Sequence, residues 1–123
     1  MNQHPGRAPG IAFVLLGGLV LAACGQGDVR SAQPITRPTV LGADGRTLTT
    51  EITAGGCQKG RLAGAETDSE VTLTLELITH QKSGEACPAY VALAPVSFVL
   101  RAPLGTRKVV DGVSGMRLAV ARQ

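Results

Sequence analysis

Aromatic residues are nearly missing from this sequence, which has no Trp, one Tyr and two Phe among 123 residues. Phe13 lies in the apolar N-terminal segment, so only Tyr90 and Phe98 are left for the rest of the chain. Proteins that bind single-stranded nucleic acids or sugar rings commonly stack them on aromatic side chains. We therefore expect no nucleic-acid partner and no carbohydrate site. The core must consist of Val, Leu, Ile and Ala, which favour β-sheet where they alternate with Thr.

Histidine is equally scarce, which limits the possible catalytic arrangements. Of the two histidines, only His80 lies beyond the N-terminal segment. A Ser-His-Asp or Cys-His arrangement needs a base, and His80 stands in a polar stretch seven residues before Cys87. Proximity in sequence alone does not make a site. We interpret His80 as a solvated loop side chain, and an enzyme that uses it is the least favoured function.

Carboxylates are the remaining candidates for catalytic or metal-binding residues, but turns or solvation explain their presence. Four could in principle supply the acid pair of a glycoside hydrolase: Glu66, Asp68, Glu70 and Glu76. Asp44-Gly45 and Asp111-Gly112 resemble fragments of calcium loops, but the alternating acidic ligands that complete such loops are missing. The sequence also lacks a Gly-rich phosphate loop and an HExxH motif. We therefore predict no catalytic residue, no cofactor and no metal ligand.

The charge is mildly basic, with a formal net value of +3 at pH 7. Arg7 is the only charged residue among the first 23, apart from His4 and the terminus, so the rest carries 11 Lys and Arg against 9 Asp and Glu. Arg101, Arg107 and Lys108 cluster around one expected turn, which permits a polyanion-binding surface. Ordinary solvated side chains explain the same cluster, and we favour that interpretation.

The first 23 residues have the pattern of an export signal. Residues 1–10 are polar and include Arg7, and residues 11–23, IAFVLLGGLVLAA, are apolar or small without interruption. This run is too short for a spanning helix, which needs about 20 residues, but it fits the apolar region of a signal peptide. It ends in Leu21-Ala22-Ala23-Cys24, which resembles the lipobox of bacterial lipoproteins.

The resemblance implies cleavage before Cys24, a diacylglyceryl lipid on its thiol and a lipid-anchored position on the extracytoplasmic side of the cell membrane. Cleavage at an ordinary small-x-small site, using Ala23 and Gly25, and an uncleaved anchor are the alternatives. The central and C-terminal part, with two cysteines and the stretch PLGTRKVVDG, loosely resembles small lipoproteins of high-GC Gram-positive bacteria. That second resemblance implies no particular activity.

Three cysteines would leave one unpaired in an exported protein. If the lipid takes Cys24, then Cys57 and Cys87 remain as an even pair in an oxidising compartment, and we expect them to form a disulfide. A thiol nucleophile and a metal pair are the competing interpretations. Both need a base or further ligands, and His80 is the only histidine beyond residue 23.

From Thr39 onward, apolar and polar residues alternate with a period of two between turn residues, which is typical of short antiparallel strands. The clearest strand covers residues 69–79, with Val71, Leu73, Leu75 and Leu77 on one face. No segment has a helical stripe of ten or more residues. We expect about seven or eight strands in an all-β domain, a small antiparallel β-sandwich or barrel with one disulfide.

Residues 25–38, GQGDVRSAQPITRP, have no apolar periodicity and indicate a flexible tether with a span of about 20 Å. The expected organisation is thus a signal peptide at 1–23, a lipidated cysteine and tether at 24–38, and a β-sandwich-like domain at 39–123. Together these features favour a non-catalytic domain that contacts another protein or an envelope component. A small-molecule binder with a pocket at one end of a barrel is the alternative.

Turn residues divide the domain further. Asp44-Gly45 is a two-residue hairpin signal between Val40-Leu41 and the strand expected at 46–54. Pro95 marks a kink or an exposed edge, with strands before and after it. Pro103-Leu104-Gly105 predicts a type I turn, and Met116, Leu118 and Val120 are expected to line the last strand.

Overall fold

The computed structural model describes residues 28–123, which form nine β-strands and no helix. The predicted signal peptide and Cys24 lie outside the described residues. The strands are β1 (Val29–Gln33), β2 (Thr39–Leu41), β3 (Thr47–Gly55), β4 (Gln58–Glu66), β5 (Glu70–Thr79), β6 (Val91–Val99), β7 (Lys108–Asp111), β8 (Arg117–Leu118) and β9 (Val120–Arg122). The predicted all-β class is confirmed.

Strand β5 is the centre of the first sheet, as its strong alternation predicts. Strand β4 pairs antiparallel with it along one edge over nine residues. Two strands share the opposite edge of β5. There β7 pairs parallel with residues 70–73, and β1 pairs antiparallel with residues 75–79. Strand β8 extends the sheet by pairing with β7.

The second sheet has the order β6-β3-β2-β9. Strands β6 and β2 pair antiparallel with β3, whereas β9 pairs parallel with β2. The chain changes sheet at five connections, of which the shortest are Gly56-Cys57, from β3 to β4, and Ala119, from β8 to β9. The curled sheets form a half-barrel with a sandwich-like core. The predicted antiparallel pairing holds except for two parallel pairs, β5 with β7 and β2 with β9. Local periodicity does not predict these two pairs, because it does not specify which strand edges the C-terminal strands join.

The core fills the space between the two sheets. On β5, Val71, Leu73 and Leu75 are buried on the inner face, as the alternation predicts. The remaining buried members of the cluster come from most other elements of the domain: Ile35, Leu41, Leu48, Ile52, Leu62, Val96, Leu100, Leu104 and Val109. Ile78 is buried on the opposite face of β5, where Arg30 and Lys59 lie beside it in register. The aliphatic stems of such cationic side chains can cover apolar surface.

Strand β4 crosses the inner face of the second sheet at two glycines. A Cβ atom on Gly60 would lie 2.4 Å from Cγ2 of Ile52, and one on Gly64 would lie 2.5 Å from Cε1 of Phe98. Distances this short are sterically forbidden, so the close approach of the strands depends on glycine at both positions. One of the few aromatic side chains therefore packs directly over the backbone of β4.

The predicted boundary between tether and domain at residue 38 is wrong. Val29–Gln33 form β1 and pair in register with β5, and Ile35 and Thr39 are buried. Sequence analysis does not detect this strand, VRSAQ, because most of its side chains are exposed and its residues therefore do not alternate between apolar and polar. The folded domain therefore includes residues 29–38. Of the predicted tether, only residues 25–27 precede the described part of the chain.

The first hairpin is confirmed, although its turn is longer than two residues. Strands β2 and β3 pair antiparallel, and the N–H of Gly45 donates to the carbonyl of Gly42. Within this turn, only Gly45 has a positive φ, 71°. The Asp44 carboxylate accepts hydrogen bonds from the N–H groups of Arg46 and Thr47 and from the Thr47 hydroxyl. These bonds inside the loop favour the longer turn over the tight one.

Three other turn predictions have different outcomes. Strand β6 runs without a break through Pro95, which lies on an edge strand rather than at a kink. Near Pro103, the expected type I turn is wrong: the turn hydrogen bond runs from the N–H of Arg107 to the carbonyl of Leu104, and Gly105 at the second position has a positive φ of 59°, which a type I turn excludes. The last strand is divided at Ala119 because its two halves join different sheets.

The predicted disulfide between Cys57 and Cys87 is present, with 5.3 Å between their Cα atoms. It ties the β3–β4 connection to the loop that follows β5. The bond closes a loop of 30 residues that contains β4 and β5. It therefore restricts the unfolded chain over the part of the sequence that forms the centre of the first sheet.

We predict that replacing both cysteines by alanine (Cys57→Ala with Cys87→Ala) lowers the free energy of unfolding by about 3–4 kcal/mol, because the unfolded chain regains loop entropy. Urea unfolding followed by circular dichroism measures the effect. Reduction of the unaltered protein should give the same loss. A double variant as stable as the oxidised protein would contradict the prediction.

Candidate functional site

The polar residues singled out in the sequence lie at the two ends of β5. At the end marked by Thr79 lie His80 and the disulfide, and the N–H of His80 donates to the carbonyl of Cys57 at 2.7 Å. At the other end, Glu70 of β5 lies opposite Lys108 of β7. Ten extended residues separate these two ends by about 30 Å.

His80 has a carboxylate partner, which the sequence does not predict. Its Nδ1 atom lies 2.5 Å from Oδ1 of Asp28, and the side chains remain 49% and 45% exposed. A carboxylate can orient an imidazole for base catalysis, but such a pair also needs a nucleophile at the other ring nitrogen. The hydrogen bonds of the described chain place no hydroxyl or thiol there. The geometry of this pair is that of a surface contact between the residue before β1 and the loop after β5.

The cationic cluster predicted around residues 101–108 is largely compensated by carboxylates. Arg107 Nη1 lies 3.3 Å from Glu66 Oε1, and both side chains are only 12% exposed. Arg107 also donates to several carbonyls, including those of Thr67 and Ala102, and so fixes the loop before β7. Lys108 pairs with Glu70 at 3.3 Å. Two of the three cations therefore have structural partners.

Glu66 connects the β4–β5 end to the same loop. Its carboxylate accepts hydrogen bonds from the backbone N–H of Arg101, and this contact, more than the guanidinium of Arg107, lowers the pKa of Glu66 against the opposing effect of burial. The expected solvation of Glu66 is therefore wrong, because its side chain is only 12% exposed and both of its oxygens accept hydrogen bonds from the protein itself.

Beyond this loop lies an open groove of about 520 Å³ between residues 104–109 and 117–122. Its charged lining consists of Arg107, Lys108, Arg117 and Arg122, and no carboxylate is among the described residues that line it. Leu118 and Val120 supply apolar surface. We name this feature the basic groove. A volume of this size lies within the range of small-ligand pockets.

The last two arginines give the basic groove its uncompensated charge. Arg122 donates to the carbonyl of Gly105 at 2.8 Å, which orients it without neutralising it. The side chain of Arg117 has no ion-pair or hydrogen-bond partner within residues 28–123, and its backbone pairs with Val110 of β7. Sequence reasoning missed both, because they lie far from residues 101–108 in sequence and only the switch of sheets at Ala119 brings them beside that loop.

The two Asp-Gly pairs are turn elements, as the sequence predicts. Asp111 is buried and accepts hydrogen bonds from the Ser114 hydroxyl at 2.7 Å and from the N–H groups of Val113 and Ile35. Burial by itself raises the pKa of Asp111, but these donors outweigh it and the pKa is lowered overall. Asp111 thereby joins the β7–β8 turn to the segment after β1.

A third surface feature is the outer face of β6, where Leu93 and Val99 are exposed. The N–H of Leu100 donates to the carbonyl of Arg46, which places the odd-numbered residues of β6 with their backbone groups toward the edge away from β3. Pro95 is one of these and lacks an N–H. It removes a donor from the centre of this edge and so opposes the addition of another strand.

Comparisons with known proteins find no matching family model, no matching curated protein and no matching solved structure. Within residues 28–123, no helix is long and apolar enough to cross a membrane. The same residues contain no group of three or more His, Cys, Asp or Glu side chains arranged to hold a metal ion. The surface geometry of the domain is therefore the basis for a functional proposal.

We predict that the protein loses stability in acid through its hydrogen-bonded carboxyl groups. The pKa of Asp44 is lowered from 3.8 to about 2, first by the Thr47 hydroxyl, and the pKa values of Glu66 and Asp111 are lowered as well. A lowered folded pKa gives stability that is present above the ordinary pKa and is lost as the pH falls through the folded value. Urea unfolding between pH 6 and 2 measures this loss, and Asp111→Asn should reduce its slope. An unfolding free energy that rises toward pH 2 would contradict the assignment.

Proposed function

We propose that this protein is an extracytoplasmic lipoprotein, anchored to the membrane through Cys24, whose β-domain binds an anionic partner in the basic groove without catalysis. The partner is an acidic segment of a protein or an anionic envelope component. The observation that carries the proposal is that the two ends of β5 carry different features. The chain enters the domain at one end of this strand, and the basic groove lies at the other, about 30 Å away.

The lipid anchor is supported by the cysteine count. The disulfide uses Cys57 and Cys87, which leaves Cys24 as the remaining one of three cysteines. That remaining cysteine is the one that ends the apolar run in the lipobox-like sequence Leu21-Ala22-Ala23-Cys24. A thiol nucleophile or a metal pair at Cys57 and Cys87 is incompatible with their disulfide, so a lipid on Cys24 is the simplest account of the odd cysteine.

A binding role for the basic groove is supported by its charge and position. Arg117 and Arg122 add two cations to a groove whose other two, Arg107 and Lys108, already pair with Glu66 and Glu70. Guanidinium groups bind carboxylates and phosphates through paired hydrogen bonds, which suits an anionic ligand. On a domain tethered at the opposite end, the groove faces away from the bilayer, where a partner can reach it.

We predict that Cys24→Ala abolishes labelling with radioactive palmitate and moves the protein out of the membrane fraction, because the lipid acceptor is removed. Metabolic labelling and cell fractionation measure the two effects. The matched control is the double variant Cys57→Ala with Cys87→Ala, which removes the other two thiols and should keep both label and membrane association. Cys24→Ala protein that still carries the label and still sediments with membranes would refute the anchor.

We predict that the double variant Arg117→Glu with Arg122→Glu reduces partner binding by about tenfold or more, equivalent to about 1.4 kcal/mol. A photoreactive residue at exposed Thr106, which lines the groove, reports binding as cross-link yield in intact cells. The control variant Arg37→Glu with Lys59→Glu makes the same charge change at exposed positions outside the groove.

Circular dichroism should show both double variants to be folded. Equal cross-link yields in the two would refute a specific role for the basic groove. So would the absence of any Thr106 cross-link in the unaltered protein together with the absence of any bound compound.

Small-molecule binding in the same groove is the second candidate, favoured by its volume and by its apolar residues Leu118 and Val120. The two candidates differ in the mass of what is bound. If Thr106 forms no macromolecular cross-link, but protein purified from cells releases a low-mass anion on unfolding, the small-molecule function holds.

A further inference from the structure

The end of the domain opposite the basic groove carries exposed apolar side chains. Val29, Tyr90 and Val91 are 66%, 57% and 71% exposed. Val29 lies opposite Thr79 in the first sheet, and Thr79 lines a shallow groove of about 330 Å³ together with Tyr90 and Val91. Val29 therefore lies at the same end of β5 as this groove. We name Val29, Tyr90 and Val91 the tether-end surface.

The distance from this surface to Cys24 is short. Four residue steps separate Cys24 from Asp28, so their Cα atoms cannot be more than about 14 Å apart even in a fully extended chain. The polar headgroup layer on each side of a bilayer is about 5–7 Å thick. A lipid on Cys24 would hold its sulfur at that layer. The chain is then too short to keep the tether-end surface far from the lipids.

We infer that the tether-end surface rests in the headgroup layer of the membrane to which Cys24 is anchored, with Val29, Tyr90 and Val91 in contact with lipid. This inference rests on the proposed lipid anchor. It gives the domain a fixed orientation, in which β5 rises from the bilayer and the basic groove faces outward. Tyr90 suits this position because its ring is apolar and its hydroxyl can remain hydrated.

The charges around this surface are balanced. Lys59 and Glu85 line one groove beside the disulfide, and Lys82 lies in the loop after β5. Asp28 contacts His80, and Arg30 pairs with Glu76 at 3.8 Å. A balanced set gives little attraction to anionic lipids, which would require a cluster of basic residues. The contact is therefore apolar in origin. It should form on zwitterionic phosphatidylcholine and should not depend on salt concentration.

The composition of the chain supplies a direct probe. Tyr90 is the only tyrosine and tryptophan is absent, so tyrosine fluorescence reports on the tether-end surface alone. A chain that begins at Cys24 contains every described strand and the whole described core. With Cys57 and Cys87 paired, its thiol at Cys24 can be coupled to a maleimide phospholipid with two acyl chains, which places the protein on vesicles whatever the natural modification of Cys24.

The experiment measures quenching of this fluorescence by phosphatidylcholine with bromine near the headgroup. We expect Tyr90 to lose most of its emission relative to vesicles without bromine, at low and at high salt. The control carries Tyr90→Phe with Asp68→Tyr, which moves the single tyrosine to the exposed turn at the far end of β5. Its emission should be nearly unchanged by the brominated lipid.

Unquenched Tyr90 on lipid-coupled, folded protein would overturn the inference and would leave the tether-end surface open to a protein partner. Equal quenching of Tyr90 and of the tyrosine at position 68 would overturn it too, because the domain would then have no fixed orientation. Neither result bears on the natural lipid at Cys24, which palmitate labelling tests in cells. A failure of the proposed anchor is therefore distinguishable from a failure of the orientation.

Discussion

Strand β5 bonds to other strands along both of its edges, and the positions of all the functional features depend on this double ladder. One edge is completed by β4, its neighbour in sequence. The other edge is completed by two strands from opposite ends of the chain, β1 and β7. Because buried backbone groups must find hydrogen-bond partners, a central strand of this length requires both. The arrangement brings the chain's entry to one end of β5 and the loop before β7 to the other.

The shared edge also explains why Asp111 is buried. Strands β1 and β7 end near one another along β5, and Asp111 accepts hydrogen bonds from the turn after β7 and from Ile35 after β1. A carboxylate with this many donors keeps its charge in spite of burial, which its lowered pKa reflects. The residue therefore joins two distant segments at the point where neither can continue the ladder.

Many polar side chains near the surface bind to loops of the domain itself, so fewer polar side chains are available to contact a partner. Arg107 and Glu66 fix the loop that precedes β7, and Asp44 closes the first hairpin. The side chain of Arg117 makes no such contact within residues 28–123, and that of Arg122 donates only to a carbonyl, that of Gly105, so the uncompensated charge of the basic groove comes from these two arginines. At the opposite end, the exposed apolar residues Tyr90 and Val91 flank the loop held by the disulfide. The two ends of the domain thus differ in chemistry, one cationic and the other apolar.

Sequence alone determined the all-β class, the central strand with its buried face, the first hairpin and the disulfide, because these follow from local alternation, turn residues and cysteine count. It could not determine β1, whose exposed side chains leave no alternation, or the close approach at Gly60 and Gly64, which depends on strands that are distant in sequence. Only the tertiary structure decided that Arg117 and Arg122 meet the loop before β7. The physical reason is the change of sheet at Ala119, which depends on which strand edges remain unpaired once the rest of the domain has folded.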